Sequence, residues 1–577
     1  MILLSGKAPV KPLNILYGVD DKPPPVMTLV LAIQHVLLLT GNFIFPVLIV
    51  QSVQGPGEVT QGMISMSMIA GGVAAIIQAL NKGPVGSGYL VTEGGSEPYL
   101  PAAFLAVQTG GYPLLFGMTM VAGVFQAFIS RIIKRIRFLF PPEVTGVVVF
   151  MVGASIVPVA VRLFLGVDGM AAPVITPPGL IVGIITFAVI VGTNIWGRGN
   201  LQQYCMIIGI IAGYILSYFF GFFTPDNFAQ LRQSPWLDLP NVGYLGWSFD
   251  IRILVPFLIA AVCASLKCVG DLTTCQKIND ANWKRPEMNN ISKGILAEAV
   301  KTVFGALTGG LAHTTSSSNI GLSLATGATS RVIAYVTGGL MILMAFFPKM
   351  AAFFAVMPQP VMGASLIFCI TFMLLSGIQI ILSRMIDTRK TIVIGTAIAF
   401  GISVDMMPGL YSNLPAALQP LFSSSLTVAT LTVLILNLIF RIGIAQKKTI
   451  QLFPGEENNK KIFDFMETQG GAWAARREVV LRAAAAMNEF IESAASLELS
   501  AEPIAMEVVF DEFNLDINIS YCGILMEFPQ IRPGEQDLLA DENAFIKLSG
   551  YLMRHYADRI KSEYKDGRCF IQFHFDH

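Results

Sequence analysis

Charge is the scarcest property of this 577-residue chain, because Asp, Glu, Lys and Arg together make up only 13% of it. The hydrophobic share is 54% and the mean hydropathy is +0.63. A soluble globular domain carries about 25% charged residues, so this composition excludes a water-soluble fold for residues 1 to about 445. It predicts a polytopic α-helical membrane protein.

Cysteine is also sparse. The seven cysteines form no CxxC pair and no metal-ligand spacing, so we expect neither disulfides nor a metal site, and we expect no cofactor. The stretch from Met1 to Pro25 is polar and proline-rich, and it lacks an apolar core followed by a cleavage site. We expect residues 1–25 to be a cytoplasmic N-terminal segment, and the first spanning helix to act as the insertion signal.

Apolar segments recur along the chain. A membrane span requires about 20 apolar residues, and the sequence offers fourteen segments, several of them short or interrupted. The predicted segments are 27–50, 62–80, 86–107, 112–131, 143–163, 178–196, 203–222, 251–270, 291–311, 313–327, 331–348, 352–380, 391–405 and 420–440. Basic residues favour the cytoplasmic side of a membrane. In this chain they follow the even-numbered segments; examples are Arg131, Arg198, Lys277, Arg389 and Arg441. Both termini are therefore expected in the cytoplasm.

Two of these segments are broken by glycine and rich in polar groups. They are the third, at 86–99, and the tenth, at 309–327. Lipid-facing helices cannot carry so many polar groups, and irregular backbone at membrane depth must line protein or a cavity. Under a seven-plus-seven division the two segments correspond, a pattern typical of inverted repeats with a midplane binding site. We expect short extended stretches there that cross between helices and hold a solute.

Five pieces of sequence occur in the order and spacing typical of one family. They are YGVDDKPP at 17–24, Gln34-His35 with Pro46, FPPEVTG at 140–146, VGD at 269–271, and SNIG at 318–321 followed by Thr326. Through these pieces residues 12–442 resemble the nucleobase-ascorbate transporter family, the nucleobase:cation symporters that include xanthine and uracil permeases.

The resemblance implies both a fold and an activity. The fold would hold fourteen segments in two seven-segment inverted repeats within residues 26–442. A core domain (segments 1–4 and 8–11) would slide against a gate domain (segments 5–7 and 12–14), often as a homodimer. The activity would be secondary active transport of a nucleobase-like solute across the plasma (bacterial inner) membrane by elevator-type alternating access. The resemblance favours a proton as the coupling ion, and sodium stays open as the alternative.

The predicted site departs from the family at several positions. Relatives carry a solute-binding glutamate where this chain has Lys267, and Gln or Glu where it has Ser318. In the third segment Glu97 replaces the usual aromatic residue. An unpaired lysine at membrane depth costs about 2.5–3.5 kcal/mol, so we predict that Lys267 and Glu97 form an ion pair at the solute cavity. The alternative is that Lys267 pairs with Asp271 or Glu298 away from the solute.

This exchange of charges changes the expected ligand. An ammonium group supplies donors and positive charge, which favours an acceptor-rich or anionic solute such as an oxidised purine or a small carboxylate. The predicted solute-binding residues are Ser96, Glu97, Tyr99, Lys267, Ser318 and Asn319. The predicted coupling or supporting residues are Gln34, His35, Asp271, Glu298 and Thr326. For two of them a structural role stays open: Asn319 as a cap of the half-helix that follows, and His35 as a hydrogen-bond donor to the third segment's backbone.

The same residues bear on other classes of function. The membrane part offers no nucleophile–base constellation, so we expect no enzyme, and nothing indicates nucleic-acid binding. A passive channel would not need two matched broken segments. A facilitator, or a transceptor whose tail senses or signals through a cytoplasmic protein partner, stays open as the alternative to a coupled carrier.

Beyond residue 442 the composition becomes polar. We expect a linker at 443–467 and a cytoplasmic α/β domain at 468–577. Its predicted elements are a helix at 471–496, paired strands over 505–528 that turn at 518–523, a helix at 542–564 and a strand at 569–575. Residues 512–516 and 548–558 resemble the histidine-kinase-type ATPase fold. Asp516 replaces the metal-holding Asn of that fold and no Asp-x-Gly-x-Gly loop follows, so we expect a regulatory or oligomerisation domain. A STAS-type domain is the competing fold.

Overall fold

A computed structural model describes residues 10–576, apart from 81–82, 134–138, 168–174, 199, 282, 284–285, 383–385, 412–413, 416–418, 423, 442, 444–445, 474, 501, 512–513, 531–543 and 566. The chain divides into two compact units, residues 1–436 and 437–577. The first unit is helical, and the second combines a sheet with helices.

The first unit runs through eighteen helices and two short strands within the described residues. The helices are α1 Pro25–Leu39, α2 Ile44–Gln51, α3 Gly57–Gln78, α4 Leu100–Ile132, α5 Pro142–Phe164, α6 Pro177–Trp196, α7 Asn200–Gln203, α8 Cys205–Phe219, α9 Pro225–Gln233, α10 Leu254–Asn279, α11 Met288–Thr308, α12 Ser317–Thr326, α13 Arg331–Ala345, α14 Pro348–Ala355, α15 Gln359–Ile381, α16 Thr388–Met406, α17 Pro408–Tyr411 and α18 Ser425–Phe440. The strands are β1 Glu93–Gly95 and β2 His313–Thr315.

Seven stretches of the described chain are helical, long and apolar enough to cross a membrane, and an eighth counts if the bent pair α13 and α14 forms one span. That pair bends by 82°. The remaining predicted segments coincide with shorter or more polar helices: α8 and α18 are short, whereas α11 carries Lys293, Glu298 and Lys301. The chain is therefore a multi-pass helical membrane protein, as predicted, and charge or interruption explains why some segments are less apolar than a simple span.

Small residues let helices of this unit approach closely. Where α3 crosses α13, a Cβ added to Gly72 would lie 2.5 Å from the carbonyl oxygen of Gly338, and a Cβ added to Gly338 would lie 2.5 Å from that of Gly72. No larger residue fits at either position. Glycine at such crossings is how helices pack in a bilayer, where lipid removes the hydrophobic drive for association.

Two extended stretches interrupt the helices, as the glycine-broken segments predicted. β1 and β2 pair antiparallel, with Glu93 opposite Thr315, Gly94 opposite Thr314 and Gly95 opposite His313. The backbone N–H of Ser96 extends the ladder by donating to the carbonyl of Ala312 at 2.9 Å. Because each strand satisfies the backbone groups of the other, non-helical backbone is tolerated inside this unit. The helix α12 begins two residues after β2, whereas a turn of 3-10 helix at Glu97–Tyr99 lies between β1 and α4.

The second unit is built on a five-stranded antiparallel sheet in the order β3-β4-β5-β7-β6. Its elements are β3 Gln446–Leu452, α19 Asn459–Ala472, α20 Arg477–Ser496, β4 Ile504–Phe510, β5 Asn514–Tyr521, α21 Ala544–Met553, β6 Arg559–Lys565 and β7 Arg568–Asp576. Alternate residues of β4, β5 and β7 are buried. They share one core with the apolar side of α20, which includes Ala483, Met487 and Phe490.

Several expectations for this unit were wrong. The region expected to be a linker, 443–467, contains β3, which pairs with β4 from Gln446 to Leu452, and the start of α19. The strands do not turn at 518–523, because β4 ends at Phe510 and the inward alternation of β5 continues from Asn514 to Tyr521. The helix expected over 542–564 ends at Met553, and β6 follows. Residues 512–513, part of the ATPase-like resemblance, lie outside the described residues.

Candidate functional site

The paired strands β1 and β2, called the crossing strands below, lie beside α10 at Lys267. Its Nζ lies 2.9 Å from Oε2 of Glu97 and 3.4 Å from Oγ1 of Thr314, which itself donates to the same carboxylate oxygen at 3.4 Å. The two charged side chains are only 13% and 15% exposed. The predicted ion pair is therefore present, and it joins the end of the third segment to the eighth. Each of the two side chains keeps a small exposed surface.

One turn further along α10, Asp271 faces the other strand. Its two carboxylate oxygens accept hydrogen bonds from the hydroxyls of Thr315 at 2.6 Å and Ser317 at 2.7 Å. Residues four apart lie on the same face of a helix, so Lys267 and Asp271 both face β2 and the start of α12. Asp271 is thus held by hydroxyl groups, whereas Lys267 takes Glu97 as its partner.

Asn319 lies at the start of α12 and makes two side-chain contacts. Its carbonyl oxygen accepts a hydrogen bond from Nδ1 of His35 at 2.7 Å, and its amide donates to Oγ of Ser316 at 3.0 Å. His35 on α1 therefore binds the tenth segment, not the backbone of the third. The N-cap residue of α12 is Ser316 rather than Asn319, so Asn319 contacts the cap residue but does not itself cap the half-helix.

The other predicted site residues are spread around this centre. On α11, Oε1 of Glu298 accepts a hydrogen bond from Nε2 of Gln126 at 2.7 Å. Ser96, Tyr99 and Gln34 are buried, and Ser318 is exposed. Thr326 is turned away from the site, because its hydroxyl donates to the carbonyl of Leu322 at 2.8 Å within α12.

Sequence reasoning missed a second ion pair. The carboxylate of Glu93 on β1 contacts Nζ of Lys301 on α11, and both side chains are buried. A signal was available, since a lysine inside an apolar segment requires a partner. The hydroxyl donors Thr314 and Thr315 were also missed, although they lie in the polar stretch that was singled out.

A small cavity of about 10 Å³, roughly the space of one water molecule, lies beside β1 and β2. Its polar lining comes from Asn42, Ser67, Glu93 and His313, and Pro46, Phe43 and Met341 contribute apolar surface. Among the described residues, no group of three or more His, Cys, Asp or Glu side chains could hold a metal ion.

A charged, hydrogen-bonding site between two broken segments of a multi-pass helical protein defines a membrane carrier. The profile of the Permease family matches residues 26–410, and the chain belongs to that family. This confirms the resemblance drawn from the motifs, and the protein is a transporter rather than an enzyme. It is an integral, multi-pass membrane protein.

Over most of its length the chain is similar to two xanthine permeases. It is 29% identical over 442 residues to xanthine permease XanP of Escherichia coli, a match that covers 74% of this chain and 95% of XanP. It is 26% identical over 452 residues to xanthine permease XanQ of Escherichia coli, covering 76% and 96%. Among solved structures, the transmembrane domain of the cyanobacterial bicarbonate transporter BicA gives a TM-score of 0.43 at 15% identity, covering 73% of this chain and 99% of that domain.

Proposed function

We propose that this permease moves a nucleobase-like or related small polar or anionic solute across the membrane. The observation that carries the proposal is the partly exposed pair of Lys267 and Glu97 beside Thr314. An ammonium group donates hydrogen bonds, and a carboxylate only accepts them. Together the two groups match a carbonyl next to a ring N–H, the edge that oxidised purines and uracil present. The xanthine permeases among its relatives agree with such a solute.

The lysine biases the choice of solute within that class. Where relatives carry glutamate, an acceptor meets the ring N–H of a neutral base. Here the extra donor at Lys267 favours acceptor-rich or anionic forms such as urate or xanthine. Glu97 weakens this preference by neutralising the lysine, so the solute competes with or bridges the pair. Asn319, held by His35 and Ser316, is the second proposed contact.

A thermal-shift screen tests the choice of solute. The melting temperature of the purified protein is measured with xanthine, urate, uracil, ascorbate and small carboxylates. The same measurements are made on Lys267→Glu and on the double variant Lys267→Glu/Glu97→Gln. The single variant has acids at both positions, whereas the double variant has an acid at position 267 only. We expect urate and xanthine to stabilise the parent, and their affinity to fall at least tenfold, about 1.4 kcal/mol, in Lys267→Glu. Binding of neutral bases by the parent but not by the Lys267→Glu variant would contradict the charge argument.

Coupling to a proton requires a buried group that can take up and release one. Glu298, Asp271 and His35 are the proposed candidates, and Glu298 is the strongest, because it is fully buried and accepts a hydrogen bond from the neutral amide of Gln126. Uptake by proteoliposomes should rise with an inward proton gradient and should not require sodium. In Glu298→Gln, exchange of solute should persist while accumulation against a gradient is lost. Unchanged accumulation would remove Glu298 from the coupling mechanism.

For the mechanism we propose elevator-type alternating access in the bacterial inner membrane, with both termini cytoplasmic and a homodimer as the working unit. The core domain would contain both crossing strands and the gate domain would contain α5 and α15. For the second unit we propose a regulatory role. A facilitator or transceptor is the second candidate, because the site's lysine is already neutralised by Glu97. Uptake that never exceeds equilibrium under a proton gradient would favour it.

A further inference from the structure

The ion pair between Glu93 and Lys301 differs from the solute-binding pair in its burial. The side chains of Lys301 and Glu93 are 0% and 1% exposed, compared with 13% and 15% for Lys267 and Glu97. Solvent therefore reaches the charged groups of the first pair far less than those of the second. The two acids are four residues apart on one stretch of chain, so each end of that stretch is tied to a different helix by a charge.

The register of β1 connects the two pairs. Glu93 lies opposite Thr315, which donates to Asp271, and the next residue, Gly94, lies opposite Thr314, which donates to Glu97. A slip of one residue would turn every side chain of the strand to its other face. The position of Glu93 thus decides whether these hydroxyls and the carboxylate of Glu97 reach the solute site.

A buried ion pair is well suited to fix such a register. Breaking a buried pair by removing one partner is strongly unfavourable, because the other charge is left without compensation, whereas replacing both partners by neutral groups is often tolerated. In any other register of β1, the charge of Glu93 would move away from Lys301 and both would be uncompensated. The pair therefore penalises alternative arrangements more than it stabilises the present one.

We propose that Glu93 and Lys301 are positioning residues, which hold β1 so that Glu97 meets Lys267 and Thr314 at the solute site. Neither residue touches the solute. The proposal rests on the proposed function in one respect, since it takes the pair of Lys267 and Glu97 to be the solute-binding pair.

A stability experiment tests the coupling without any solute. Melting temperatures are measured for Glu97→Gln alone, for Glu93→Gln/Lys301→Met, and for the combination. If the buried pair holds Glu97 in place, the drop caused by Glu97→Gln should be at most half as large once that pair is neutralised. Glu143→Gln/Lys390→Met, which neutralises the charges of a partly buried acid–base pair on α5 and α16, is the control and should leave the drop unchanged. Additive drops in both backgrounds would overturn the proposal.

A binding experiment then separates positioning from simple stabilisation. The neutralised variant Glu93→Gln/Lys301→Met should bind xanthine at least tenfold more weakly, and the reversed pair Glu93→Lys/Lys301→Glu should recover part of that loss. If neither variant folds, Glu93→Asp keeps the charge but shortens the reach, and it should weaken binding with little change in melting temperature. Parental affinity in these variants would overturn the proposal. Absence of xanthine binding by the parent would instead contradict the proposed function, and the melting cycle would still decide the role of the pair.

Discussion

Removing either member of the Lys267–Glu97 pair should cost more than removing both. At 2.9 Å two opposite unit charges attract by about 6 kcal/mol if the effective dielectric constant is about 20. Desolvation of both groups offsets part of this attraction. Truncation of one partner in a buried, hydrogen-bonded charge pair typically costs about 2–5 kcal/mol. Because water reaches both side chains and Thr314 remains as a weak partner, we expect about 2–3 kcal/mol for each single variant.

The assay is a double-variant cycle. Lys267→Met, Glu97→Gln and the combined variant are purified in the same detergent, and their melting temperatures are compared with that of the parent. The double variant should lose no more than either single variant, since no uncompensated charge remains. If the loss in the double variant equals the sum of the single losses, the two side chains act independently, and the ion pair contributes nothing as a unit.

Three further predictions follow from other parts of the chain. Gly94→Ala should lower the free energy of unfolding by about 1–3 kcal/mol, because the added Cβ would lie 1.8 Å from Nδ2 of Asn42. A Cβ added to Gly339 would have no atom within 4 Å, so Gly339→Ala should be neutral in the same melting assay. Iodoacetamide should modify Cys522 well before Cys569, since Cys569 is fully buried and burial raises the pKa of its thiol; equal rates by mass spectrometry would contradict this. A chain ending at residue 443 should purify as a single species and retain uptake. A chain ending at residue 467 should aggregate, because β3 would be present without its partner β4. Loss of uptake in the shorter chain would show that transport requires the second unit.

Much of the membrane unit could be predicted because the bilayer limits what a sequence can do. Glycine and hydroxyl residues at 86–99 and 309–327 are incompatible with a lipid-facing helix, so the sequence predicted interrupted segments that face protein or a cavity. The pairing of Lys267 with Glu97 followed from the cost of an isolated charge. Lys301 obeys the same rule, yet the sequence offers several acids as its partner. Only packing, which brings α11 against β1, selects Glu93.

The second unit was harder to predict, and the errors share a cause. The two missed strands, β3 and β6, are the edges of the sheet. Their residues are mostly exposed, so they lack the alternation that made β4, β5 and β7 recognisable. An edge strand is defined by the neighbour to which it hydrogen-bonds. A polar edge such as β6 also discourages pairing with other chains, so the same property that hides the strand in the sequence protects the folded domain.

The pairing of β1 with β2 has a consequence for how the protein is made. About 220 residues separate the two strands along the chain. At synthesis rates of about 5–20 residues per second, the first strand therefore waits roughly 10–40 seconds for its partner to leave the ribosome. During that interval its peptide groups and the acid at its start have no permanent partners inside the membrane. The candidate site therefore cannot form until more than half of the 577-residue chain has been made, and a chain that stops before β2 leaves β1 without its partner strand.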